Sequence, residues 1–209
     1  MLKEIIIFIL IVLSSCRDIN RLKCEVKQDV RIEKQFAHFL SKFTCTTLPF
    51  DTKQYNQIAL DKSNKITNEE VYKFICKKSD EKCFNAPDGT SYYTYHYCNQ
   101  LPSYDEFSTI IYCKYTDPTV YYLATYDLAG NEINKIVIAS DYGDLYSSDG
   151  IVDSELKVRI KHIEYLPVAK TGQNFLDGIV TEYLYQIQNN GDIEQISTKK
   201  IGVQRFDFE

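Results

Sequence analysis

The side chains with the readiest chemistry in this 209-residue chain are seven cysteines and three histidines. Six of the cysteines, Cys24, Cys45, Cys76, Cys83, Cys98 and Cys113, form an even set that ends before residue 114, and in an exported chain such a set reads as disulfides. Tyr92–Cys98 and Phe107–Tyr115 have the composition of neighbouring antiparallel strands, with Pro102, Ser103 and Asp105 in the turn between them. That places Cys98 opposite Cys113 and predicts a bridge there. Cys76–Cys83 then closes the turn after a helix, and Cys24–Cys45 follows by elimination. Zinc is not expected: there is no C-x-x-C, and His96 stands too close to Cys98 to share a ligand loop with it. The loop Asp141-Tyr142-Gly143-Asp144 with Asp149-Gly150 is acidic, but its spacing is not that of an EF-hand, so it reads as solvated. No metal and no cofactor is therefore expected. His38, His96 and His162 have no partner nearby in sequence, and no nucleophile elbow, P-loop, H-E-x-x-H or dinucleotide-binding pattern occurs. No catalytic residue follows from this sequence, and the chain reads as a non-enzyme.

Two other features have the residue types of a recognition surface. In the strand around residues 92–98, alternation sends Tyr93, Tyr95 and Tyr97 to one face. Exposed, those rings stack on sugars or anchor a protein partner; the commoner fate of such a face is burial against helices. Lys157, Arg159 and Lys161 alternate with Leu156, Val158 and Ile160 and make a basic stripe on a half-buried strand. Most such stripes are solvated faces, although in a chain of net charge −5 this one has the sign to steer an acidic partner.

These residues need elements to hold them. Ile32, Phe36, Phe39, Leu40 and Phe43 recur at helical spacing and predict a first amphipathic helix. Thr67-Asn68-Glu69-Glu70 is a capping box opening a second, with Val71, Phe74 and Ile75 on its apolar face. After Asp88-Gly89 the period changes to that of strands. Two turns stand out, Asp127–Asn131 and Asn189-Asn190-Gly191-Asp192, the latter a strong hairpin signal. The expected fold class is α+β: two N-terminal helices packed on a curled, mostly antiparallel β-meander of about six or seven strands. It comprises a single domain over residues 29–209, with a disulfide-bearing part at 24–113 and a cysteine-free meander at 114–209.

Composition is that of a globular domain, with 44% hydrophobic and 25% charged residues. A pI near 5.3 argues against nucleic acid as a partner. At the N-terminus, Lys3 precedes an apolar run from Ile5 to Leu13, too short to span a bilayer and suited to a signal peptide. Leu13-Ser14-Ser15-Cys16 resembles the lipobox of bacterial lipoproteins. The resemblance implies removal of residues 1–15, lipidation of Cys16 and a polar tether over 16–28. Arg17 stands where many inner-membrane lipoproteins carry aspartate, which favours the outer membrane, facing either the periplasm or the cell surface.

Thr47-Leu48-Pro49-Phe50, the run Tyr122-Leu123-Ala124-Thr125-Tyr126-Asp127 leading to Gly130, and the spacing of Tyr185, Ile187 and Gly191 resemble uncharacterised cell-envelope lipoproteins of Gram-negative bacteria. That resemblance carries no activity and no site residue with it. The expected function is protein binding by a non-catalytic envelope lipoprotein, of inhibitor or immunity type, with an envelope or secreted protein as partner. The alternatives are a glycan-binding surface lipoprotein and a hydrolase with an unrecognised site.

Overall fold

Glu33 starts the first helix by accepting a hydrogen bond from the Phe36 amide at 2.8 Å, while its own amide donates to the Leu128 carbonyl at 3.0 Å. A cap and a tertiary tie thus fix one residue. In the computed structural model, which describes residues 32–55, 64–76, 93–116, 119–143, 145–167 and 175–207, this helix (α1) spans Lys34–Leu40. It is shorter than the apolar stripe, and Phe43 is nevertheless buried just beyond it. The second helix (α2) opens at Asn68–Glu70 behind the expected Thr67 capping box and widens into a π-helical turn over Val71–Ile75. The signal segment 1–15, the tether 16–28, Cys16, Cys24 and Cys83 lie outside the described residues.

Ten strands form one sheet: β1 (Thr44–Cys45), β2 (Phe50–Asp51), β3 (Thr94–Leu101), β4 (Phe107–Tyr115), β5 (Val120–Asp127), β6 (Glu132–Asp141), β7 (Tyr146–Val152), β8 (Lys157–Tyr165), β9 (Phe175–Ile187) and β10 (Ile193–Asp207). From β3 to β10 each strand pairs antiparallel with the next. At one end β1 runs parallel to β3, and β2 pairs with β7. The protein is mostly β, a largely antiparallel meander with two short helices. The expected count of about six or seven strands is too low, and the sheet is neither curled nor closed. The three additional strands are the two-residue β1 and β2, too short for any periodicity, and β7, whose Ser147-Ser148-Asp149-Gly150 has a loop's composition.

Both turns close as read. Asp127 Oδ1 accepts from the amides of Ala129 and Asn131 at 3.0 and 2.7 Å, and Gln188 and Gly191 bond within the second turn. Gly130 has φ +79°, and a β-carbon there would meet the Phe36 ring at 2.9 Å, so the turn needs glycine for both conformation and space.

Two apolar clusters hold the sheet. In the first, Phe36, Phe39 and Leu40 of α1 and Phe74 and Ile75 of α2 pack on Tyr95, Tyr97, Ile110, Tyr112 and Tyr126. Phe39 and Phe74 stack with centroids 4.6 Å apart, and Phe43 meets Tyr97 edge to face at 5.0 Å. The second joins Ile111, Leu123, Ile138, Val152, Val158 and Ile187 with Cys98 and Cys113. Burial of these side chains supplies the main drive for folding, at roughly 1.5–3 kcal/mol for each large apolar group.

Candidate functional site

The tyrosines singled out from the sequence go to the interior. Tyr95 and Tyr97 are 1% and 7% exposed, inside the cluster under the helices, so neither presents a ring to a partner. Tyr93 is half-buried, with the Lys114 ammonium 3.9 Å from its ring centre. The reason is the amphipathic α1, which lays its phenylalanines on that face. Tyr97 keeps a polar end: its hydroxyl donates to Glu70, which also receives Lys42 Nζ at 2.7 Å and the Thr67 hydroxyl at 2.8 Å. Burial raises the Glu70 carboxyl, but the hydrogen bonds from Lys42, Tyr97 and Thr67 together hold it below the usual carboxylate range.

The basic stripe is largely compensated. Lys157 pairs with Glu155, and Lys161 stands opposite Asp149 on β7 and Glu182 on β9, with its ammonium 5.6 Å from the Phe206 ring centre. Arg159 is exposed between them. Tyr93, Tyr95 and Tyr97 therefore do not share a surface with Lys157, Arg159 and Lys161.

A groove forms elsewhere, over β5 to β9. It encloses about 480 Å³ and is lined by Tyr122, Tyr142, Tyr146, Tyr183 and Tyr185, together with His162, Ser140 and Ser148 and the aliphatic Val120, Val137 and Ile160. Strand register assembles it: Ser140 faces Ser148, Ser148 faces His162, and Ile160 faces Tyr183. Tyr142 and Tyr146 stack with centroids 4.3 Å apart, and Tyr146 leans on the His162 ring at 5.5 Å. The two serine hydroxyls share a hydrogen bond of 2.9 Å. Burial, and after it a hydrogen bond with Tyr142, pushes the Tyr146 phenol up to about 12. Burial also raises Tyr185. Tyr146 and Tyr185 therefore carry neutral hydroxyls at neutral pH, able both to donate and to accept.

Among the described residues the lining includes no Asp, Glu, Lys or Arg. It offers flat aromatic faces beside neutral hydroxyls and one imidazole. Among the described residues no group of three or more His, Cys, Asp or Glu is placed to hold a metal. His38 is exposed on α1, and His96 is buried opposite Cys113, so His162 is the histidine that reaches the groove.

Sequence reasoning missed this site because its tyrosines come from strands far apart in the chain. Tyr142 and Tyr146 sit where an acidic loop was expected. The available signal was the excess of 17 tyrosines, with Tyr183 and Tyr185 on one face of a strand. Of the six candidate disulfide cysteines, Cys98 and Cys113 do not form the expected bridge: both are free thiols, because the β3–β4 register sets Cys113 opposite His96 and skips Cys98 at a bulge. Cys45 and Cys76 are not free thiols, and the expected pairings Cys76–Cys83 and Cys24–Cys45 each have a member outside the described residues. Comparison with known proteins gives no matching family model, no matching curated protein and no matching solved structure.

Proposed function

We propose that this protein is a non-catalytic binding protein of the bacterial cell envelope, tethered through a lipid on Cys16, and that the groove over β5 to β9 takes a neutral glycan. The observation that carries this reading is the stacked pair Tyr142 and Tyr146 beside Ser140, Ser148 and His162. Sugar rings present apolar C–H faces and a rim of hydroxyls, which suit aromatic platforms flanked by neutral hydrogen-bonding groups. A volume of about 480 Å³ lies within the range of small-ligand sites.

The lining favours binding over cleavage, because glycoside hydrolysis ordinarily uses two carboxyl groups across the scissile bond. It also favours a glycan over the protein partner expected from the sequence. The two surfaces singled out from the sequence offer such a partner little: Tyr95 and Tyr97 are buried, and Lys157 pairs with Glu155. A glycan array probed with the parent chain and with Tyr146→Ala tests the reading. Binding of neutral glycans by the parent, lost in the variant, supports it; signal confined to acidic glycans or retained in full by the variant refutes it.

A further inference from the structure

Four groove residues stand in one cross-strand row: Val120 faces Ser140, Ser140 faces Ser148, and Ser148 faces His162. Neighbouring strands lie about 4.8 Å apart, so the row sets an aliphatic group, a hydroxyl pair and an imidazole at successive steps. Tyr146 leans on His162 at one end of the row. At the other end Val137, opposite Tyr122, adds to Val120. Val137 is 41% exposed, so an aliphatic surface stays open to solvent there. The serine pair between the two ends has a definite hydrogen-bonding remainder. One hydroxyl donates to the other at 2.9 Å, which leaves one O–H to donate and lone pairs to accept.

We propose that the groove selects glycans whose sugars carry an acetamido group; this rests on the glycan reading above and names the sugar class. The pyranose ring lies on the platform of Tyr142 and Tyr146, and its acetamido group reaches along the row. The amide carbonyl takes the hydrogen that the serine pair has left. The methyl covers Val120 and Val137. A sugar hydroxyl in the place of that methyl would lose water against two valines and gain no partner, an unfavourable exchange. A free amine or a carboxylate there would bring a charge into a lining that, among the described residues, holds no Asp, Glu, Lys or Arg. The acetamido group is neutral, apolar at its tip and polar at its stem, in the order in which the row presents its partners.

The test is isothermal titration of the full chain with chitotetraose and with cellotetraose, which differ only in carrying an acetamido group or a hydroxyl at C2. Burial of one methyl with one added hydrogen bond predicts chitotetraose tighter by roughly tenfold in Kd. Val137→Thr, which exchanges one methyl for a hydroxyl, should reduce that preference to about threefold and leave cellotetraose affinity unchanged. The parent comparison decides the matter even if the variant folds poorly. Equal affinity, or tighter cellotetraose, overturns the acetamido assignment and leaves the glycan reading standing. Binding of neither oligomer overturns the assignment as well, and with a blank glycan array it removes the reading beneath it.

Discussion

Tyr142 and Tyr146 stack with ring centres 4.3 Å apart and planes 29° from parallel, although one precedes β7 and the other begins it. Backbone bonds close the turn: the Tyr142 amide donates to the Tyr146 carbonyl at 2.7 Å, and the Leu145 amide to the Tyr142 carbonyl at 3.1 Å. The His162 ring lies against Tyr146 at 5.5 Å, so the stacked pair is built by the fold itself and not by a ligand. Preorganisation of this kind reduces the entropic cost of binding.

Tyr146→Ala removes one face of that platform without opening either apolar cluster. Its expected effect on glycan affinity is a loss of about 1 kcal/mol, roughly fivefold in Kd. Stability should move little. Isothermal titration together with a thermal melt separates the two.

Glu70 of α2 ties the segment after α1 to β3 through Lys42 and Tyr97, and holds its own helix start through Thr67. Its folded pKa is depressed, so its contribution is present above the unfolded carboxylate value and is lost as pH falls through the folded one. Glu70→Gln should cost about 1–2 kcal/mol at neutral pH, allowing for solvent screening. Denaturant titrations near pH 7 and pH 3 should find the gap between parent and variant narrowing at the lower pH. A gap that is constant with pH contradicts the assignment.

Gly130→Ala should destabilise the fold by about 2–4 kcal/mol, combining the left-handed backbone with overpacking against Phe36. The Phe36 ring is fully buried and cannot swing clear. Phe36→Leu in the same background relieves the contact and should restore part of the loss, measured by urea midpoint.

Much of the scaffold was readable from the sequence because its signals are local. The Thr67 capping box, the Asp127–Asn131 turn and the Gly191 hairpin each involve a few neighbouring residues with one dominant conformation. β7 was not readable, because Asp149 and Gly150 imitate a loop. The structure shows why glycine is there: a β-carbon on Gly150 would lie 2.6 Å from the Ile138 carbonyl oxygen of the neighbouring strand β6. The groove was hidden for a related reason. Tyr122, Tyr146 and Tyr183 meet only through cross-strand register, which a one-residue bulge such as that between Tyr121 and Tyr122 shifts.

Anchoring is tested separately from binding. Cys16→Ala should move the protein from the membrane fraction to the soluble fraction, and mass spectrometry of the parent should find an acylated N-terminal cysteine. Membrane attachment unchanged in the variant contradicts a lipid on Cys16.

The most direct measurement of the central claim is titration of the chain with neutral oligosaccharides, followed by tyrosine fluorescence. The chain has 17 tyrosines and no tryptophan, so the signal comes from tyrosine alone. The account predicts a saturable change in the parent that is abolished or weakened severalfold in Tyr146→Ala and in Tyr142→Ala. A parent that shows no saturable change, or variants that titrate as the parent does, would contradict it.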